Sequence, residues 1–414
     1  MNQRLFNRIA KRIDSYVDQM IEMQSGLTAI PAMAPENGGD GEFDKACFIL
    51  EYLQSMNFAK VFEIMAPDER TSSGVRPNII ASLDGHNPEK TVWIMTHMDI
   101  VPPGELKLWN DDPFRCYVKD GRIYGRGTED NQQDLVSSIF AARALLDEGI
   151  TPEHSVGLAF VADEETSSHF GLSFVLRNEI NPFRKTDLIV IPDSGNEEGS
   201  MIEIAEKSIL WLRFKTDGKQ CHASRPSLGR NAFRAASHLV VSLEGLSKIF
   251  DAADPFYDPP TSTFEPTKKE PNVPNINTIP GEDVFYLDSR ILPHYPLAKV
   301  LNEIRKKADG VENLFDVSIE ITAVQQTQAP PPTPPDAPVV FALKRAIRTV
   351  YGVEASPQGI GGGTIAAIFR EHSYPAAVWS RMQHTAHQPN ENCLISNMLG
   401  NAKVYAALFL EQNR

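Results

Sequence analysis

Residues 92–104 read VWIMTHMDIVPPG: an apolar run, then His97 and Asp99, then a stop at Pro102-Pro103-Gly104. The run before the histidine does not alternate with polar residues. It therefore reads as a strand buried on both faces, the pattern of a parallel sheet covered by helices. Side chains two positions apart on a strand share a face, so His97 and Asp99 present themselves side by side. In open α/β sheets, ligands gather beyond the carboxyl ends of the strands. The pair sits where a site belongs.

Working outward, strands at 78–81, 92–98, 154–162 and 187–191 alternate with helices at 135–146 and 170–177. A hairpin across 114–124 turns at Asp120-Gly121, and Gly149 closes the helix before it. This alternation predicts an α/β fold with a mainly parallel sheet. From residue 208 the pattern changes to a strand at 208–216, a helix at 231–249 and a polar, proline-rich loop at 254–274. Strands near Ile276 and at 284–291, a helix at 296–309 and a strand at 315–324 follow. The order β-α-β-β-α-β is that of a ferredoxin-like unit. The run Pro330-Pro331-Pro332-Thr333-Pro334-Pro335 then acts as a stiff polyproline spacer. A helix at 339–351, a strand at 376–379 and a last helix at 397–412 complete the chain. The simplest architecture is an α/β domain of residues 1–206 and 327–414, interrupted by a ferredoxin-like domain of residues 207–326. At the N-terminus, Leu5, Ile9, Ile13, Val17, Met20 and Ile21 mark one face of an amphipathic helix.

Composition narrows the function. Of 414 residues, 42% are apolar and 23% charged, as in an ordinary globular protein. A net charge of −14 argues against nucleic acid, whose phosphates require a basic face. Cys47, Cys116, Cys221 and Cys393 are scattered and form no C-x-x-C pair. A disulfide framework or thiolate zinc site is not expected, and reduced, mostly buried thiols are. No stretch of about 18 apolar residues offers a membrane span. Charges interrupt the N-terminus too often for a signal peptide, so a cytoplasmic protein is expected.

Four further stretches carry carboxylates near predicted strand ends: GRGTED at 125–130, VADEE at 161–165, IPD at 191–193 and HTAHQPNE at 384–391. Singly, each is explained by a polar pair, a solvated strand end or a helix cap. Together, on one edge of a parallel sheet, they converge two histidines and several carboxylates. That nitrogen and oxygen donor set suits zinc, cobalt or manganese.

In this order, THMDIVP, GRGTEDNQ, ADEET, IPDS and HTAHQPNE resemble the motifs of the M20 family of metallopeptidases and amidohydrolases. The resemblance covers nearly the whole chain, and it implies a zinc-peptidase type catalytic domain with an inserted lid and dimerisation domain. It implies two divalent metal ions, zinc first, with cobalt or manganese as alternatives. His97 and Asp193 would hold one ion, Glu165 and His387 the other, with Asp130 bridging both. His387 is preferred to His384 because the family's last motif is H-x-x-N-E, here His387 to Glu391. Asp99 would orient His97, and the Asp130–Asn131 peptide would be cis. The ions would lower the pKa of a bridging water and polarise the scissile carbonyl. Glu164 would be the general base that takes the water's proton and passes it to the leaving amine.

In the inserted domain, GKQCHASRP resembles the family element whose histidine, here His222, stabilises the oxyanion across a dimer. Asn277 and Arg290 match positions that hold a substrate carboxylate, a task an arginine fork suits. The loop GIGGGT at 359–364 lacks the G-x-G-x-x-G spacing of a nucleotide site. It resembles the family's substrate loop, with Gly362, Gly363 and Thr364 as binding residues. Two positions depart from the usual pattern: Ile365 stands where the family often has aspartate, and Gln132-Gln133 replace Lys-Gly. Neither removes a ligand. The resemblance implies a hydrolase of a dipeptide or N-acyl amino acid, dimeric through the inserted domain, with no nucleic-acid or membrane partner. The alternative is a non-hydrolytic, metal-containing binding protein for an amino-acid derivative.

Overall fold

Val92, Ile94 and Met95 are fully buried, and the strand that carries them, Asn87–His97, lies inside an eight-stranded sheet. A computed structural model describes residues 2–56 and 58–411 of the chain. The sheet order is Lys60–Pro67, Val75–Leu83, His154–Val161, Asn87–His97, Leu188–Asn196, Ala376–Arg381, Met201–Glu206, Ser356–Ile360. The central four strands run parallel, with Asn87–His97 between His154–Val161 and Leu188–Asn196. The α/β expectation holds, with a parallel centre flanked by antiparallel pairs that the alternation did not predict. Because the four central strands point one way, their carboxyl ends share one edge.

Helices cover this sheet as their composition requires. Gln133–Asp147 and Ile395–Phe409 are apolar around most of their circumference and are buried along nearly their whole length. The expected end of the last helix at Gln412 lies outside the described residues. The single N-terminal helix is instead two, Gln3–Asp14 and Val17–Thr28. At the break the Ser15 hydroxyl donates to the Arg12 carbonyl, and the Tyr16 hydroxyl donates to Asp147 at 2.6 Å. That anchor turns the chain, so Phe6, Ile9 and Ile13 are buried while Leu5 and Val17 are only partly so.

The chain forms two compact units, with boundaries at 204/205 and 332/333, and residues 358–363 pack with the second. The second unit has a four-stranded antiparallel sheet, Thr263–Lys269, Glu282–Ile291, Ser208–Asp217, Ser318–Thr327. Helices Ala232–Leu243 and Leu297–Phe315 pack on it through Leu239, Val300 and Ile304 against Leu212, Phe214 and Leu287. The element order is β-α-β-β-α-β, as expected. One strand was not: Thr263–Lys269 falls in the segment read as a proline-rich loop. It is an edge strand with an irregularity between Pro266 and Lys268, where a missing N–H costs no ladder bond. No strand forms at Ile276, which is exposed; Thr278–Ile279 pairs with Cys221–His222 instead. Among the described residues, no helix is long and apolar enough to cross a membrane.

Within the main sheet, Trp93 lies in register with Gly157. Its indole donates to Asp187 at 2.9 Å and meets Phe183 edge-on at 4.8 Å. A Cβ on Gly157 would lie 2.2 Å from the indole. Gly157→Val is expected to destabilise the fold by about 1–3 kcal/mol through overpacking, read as a lower urea midpoint.

Candidate metal centre

His97 ends its strand, and its imidazole is only 2% exposed. Nδ1–H donates to the Asp99 carbonyl at 3.1 Å, with the Asp99 carboxylate at 3.5 Å. Nε2 therefore faces the other way, 2.9 Å from Asp130 Oδ1 and 3.5 Å from Asp193 Oδ1. His387 Nε2 lies 3.0 Å from Asp130 Oδ2 and 3.1 Å from Glu165 Oε2. Asp130 thus divides its two oxygens between two imidazoles. The Asp130–Asn131 peptide is cis. Donor atoms of His97, Asp130 and Glu165 lie within 4.8 Å of one another, and so do those of His97, Glu164 and Asp193.

The sequence brings these groups together by two local devices. Asp99 accepts the backbone N–H of Glu164 at 3.1 Å on one oxygen and that of Glu165 at 2.9 Å on the other. The same side chain therefore faces His97 and fixes the turn that follows the strand His154–Val161. Asp163 opens that turn with a φ of 62°. Its carboxylate accepts from the Thr166 hydroxyl, from Ser167 Oγ at 3.0 Å and from Phe170 N–H at 3.0 Å. Its own N–H donates to Glu42, which is held two-pronged by the buried Arg76. Arg76 also lies 3.6 Å from Asp68 and 3.7 Å from Asp163.

The charge balance at the centre is the clearest sign of its chemistry. Burial, and then the neighbouring Asp193, push the Glu164 carboxyl well above its usual range. Burial, and then Asp130, push Glu165 up to about 7. Hydrogen bonds to Asp130 and Glu165 raise His387 to about 10. Burial opposes the charge on Asp130, but the bonds from His387 and His97 hold it well below the carboxylate range. Carboxylates outnumber imidazoles, and every donor is nitrogen or oxygen, so divalent cations of the zinc, cobalt or manganese type fit the set.

His97, Asp99, Asp130, Glu164, Glu165, Asp193 and His387 all belong to the first unit. Thr364 does too, and its hydroxyl donates to Glu203 at 3.3 Å. His222, Asn277, Arg290, Gly362 and Gly363 belong to the second. There, His222 Nδ1 accepts the backbone N–H of Ser224 at 3.1 Å, so Nε2 carries the ring proton of the neutral form. Asn277 accepts from Asn275. Arg290 spends its fork on Asp288, at 2.8 and 3.0 Å, and a third donor on the Gly361 carbonyl at 3.1 Å. The departures Gln132 and Gln133 are structural: Gln132 accepts from Thr28 at 2.7 Å, and Gln133 donates to Ser380 at 3.1 Å.

The sequence description "Peptidase family M20/M25/M40" matches residues 93–411 of this chain. The chain belongs to that family. An uncharacterised metallohydrolase of Methanococcus maripaludis is 42% identical over 410 residues, 94% of this chain and 98% of that one. A succinyl-diaminopimelate desuccinylase of Nautilia profundicola is 25% identical over 396 residues, covering 95% and 100% of the two chains. The crystal structure of human carnosine dipeptidase 1 shares the fold, with a TM-score of 0.73 at 18% identity over 98% of both chains. The resemblance read from the motifs is borne out, and this M20 protein is a metal-dependent hydrolase of peptide or amide bonds.

Several groups that shape the site carry no signal in the sequence. Arg76, Glu42 and Lys45 lie outside every motif, because their importance comes from partners distant in the chain. The Lys45 ammonium is fully buried and, among the described residues, has no hydrogen-bond partner. Burial lowers its pKa to about 8. Between pH 8 and the unfolded value of 10.5, only the unfolded chain holds that proton, so the penalty of burying the charge fades as pH rises. Lys45→Met is therefore expected to gain stability over the wild type below pH 8. That advantage, roughly 3 kcal/mol, should disappear by pH 10.5 in paired urea unfolding curves.

Proposed function

We propose that this M20 hydrolase cleaves a peptide or N-acyl bond next to a free carboxylate, in a dipeptide or N-acyl amino acid. The observation that carries the reading is the Asp130 carboxylate, with one oxygen on the His97 side and the other on the His387 side. On this reading His97 and Asp193 hold one cation, Glu165 and His387 hold the second, and Asp130 is common to both. Two divalent ions there, with zinc the first choice, would supply Lewis acidity to the attacking water and the scissile carbonyl.

The chain's own groups do the rest. Glu164 takes the proton of the attacking water. It then delivers that proton to the nitrogen of the leaving amine. Asp99 holds the His97 ring and the backbone of Glu164 in one arrangement, so ligand and base keep their spacing. His222, with its proton on Nε2, would donate to the carbonyl oxygen across the proposed dimer, and Asn277 and Arg290 would bind the substrate carboxylate, Arg290 by giving up its bonds to Asp288 or Gly361. Gly362, Gly363 and Thr364 line the substrate loop. The non-hydrolytic alternative has no need of a base beside a filled ligand set, whereas Glu164 and all five ligand positions are present. The four cysteines are free, which supports a reducing, cytoplasmic setting, although only Cys393 is buried, against the expectation of mostly buried thiols.

The test is a panel of dipeptides and N-acetyl, N-succinyl and N-formyl amino acids, run with zinc-, cobalt- and manganese-loaded protein. Glu164→Gln is expected to lower kcat by about 10²–10⁴-fold while cation binding persists. Chelation should abolish turnover and re-addition restore it. Cation-loaded protein that turns over none of these substrates would sink the substrate assignment. We also propose a homodimer through the second unit; light scattering that finds a fully active monomer would remove it.

A further inference from the structure

The loops that carry Asp130 and His387 grip one another through two buried carboxylates. Glu129, next to Asp130, accepts the backbone N–H groups of Gln383 and Thr385 and that of Ala386 at 3.0 Å, with the Thr385 hydroxyl at 2.9 Å. These residues lead into His387. Glu391, which follows His387, reaches back to the other loop. It accepts from Gly127 N–H at 3.0 Å, Glu129 N–H at 2.9 Å, Asp130 N–H at 3.0 Å and the Arg126 guanidinium at 2.5 Å. Glu129 and Glu391 are 2% and 0% exposed. Each loop thus donates its backbone to a carboxylate carried by the other.

We propose that Glu129 and Glu391 are positioning residues that form a reciprocal clasp and fix the separation of Asp130 from His387. A carboxylate suits this post because it is acceptor-only and can take several N–H groups at once. A glutamine would turn an NH₂ group toward amides that are themselves donors. The bonds run between residues more than 250 positions apart in sequence, so the clasp forms only when both strand ends are in place. Its bearing on cation affinity rests on the ligand assignment made above; its existence as a clasp does not.

The decisive comparison uses full-length wild type, Glu129→Gln, Glu391→Gln and the double variant. Amide hydrogen exchange is read on metal-free protein, and cobalt binding by calorimetry and visible absorption. Glu129→Gln should speed exchange at residues 383–386 by about tenfold or more and weaken cobalt binding by about 10–100-fold, the usual cost of losing a group that orients a ligand. Glu391→Gln should speed exchange at 127–130 and also at 383–386, and the double variant should add less than the sum of the two. Unchanged exchange overturns the clasp, whatever happens to cobalt. So does faster exchange confined to each variant's own loop with additive effects. Faster, coupled exchange in a chain whose wild type binds no cobalt keeps the clasp and removes the ligand assignment. If Glu129→Gln does not fold, Thr385→Val deletes one Glu129 bond together with the hydroxyl's bonds to the Asn392 backbone, leaves the three backbone N–H bonds to Glu129, and a smaller change in the same two readings is expected.

Discussion

Asp130 offers one oxygen to His97 at 2.9 Å and the other to His387 at 3.0 Å, so two imidazoles from distant parts of the chain must meet across one carboxylate. Much of the first unit can be read as the means to that meeting. Parallel strands deliver His97 and the residues after Val161 to a common edge. The neighbouring strand Leu188–Asn196 carries Asp193, and the loop after Ala376–Arg381 brings His387. Antiparallel neighbours would send alternate ends to opposite edges, which is why the sheet is parallel at its centre and relaxed toward its margins.

Collecting so many carboxylates in a protein interior is unfavourable unless each finds donors or cations. The structure answers in two tiers. Asp99 faces His97 on one side and takes two backbone N–H groups on the other. Behind it, Arg76 neutralises Glu42 and approaches Asp68 and Asp163, which closes the turn bearing Glu164 and Glu165.

Much of this was legible in the sequence. The apolar stretch at 92–95 read as a strand covered on both faces, and the structure makes it one; the histidines and carboxylates at strand ends are brought to one edge as expected. The alternation of strands and helices in the second unit was legible from the order of its elements, although one of its strands was not. What stayed hidden depends on partners far away. Thr263–Lys269 contains a proline and mostly exposed side chains, and becomes a strand because Glu282–Ile291 lies beside it. Lys60–Pro67 mixes exposed and buried positions without a clean alternation. Glu129 and Glu391 stand inside the motifs, but the sequence does not show what they do until the opposite loop supplies their amides. The N-terminal helix broke where a tyrosine found an aspartate more than a hundred residues on.

The two imidazoles differ in one respect that geometry alone does not convey. The His97 side chain is 2% exposed and that of His387 is 53%. On the proposed assignment, the pair of cation positions is therefore unequal in exchange kinetics. Solvent reaches the His387 ring directly, whereas on the His97 side the imidazole is covered and only Asp130 and Asp193 are partly exposed, at 15% and 10%. Loading and stripping would then follow an order, with a half-filled protein as the long-lived species between them. An enzyme built this way can keep its inner ion through passing scarcity and regain activity by capturing one ion rather than two.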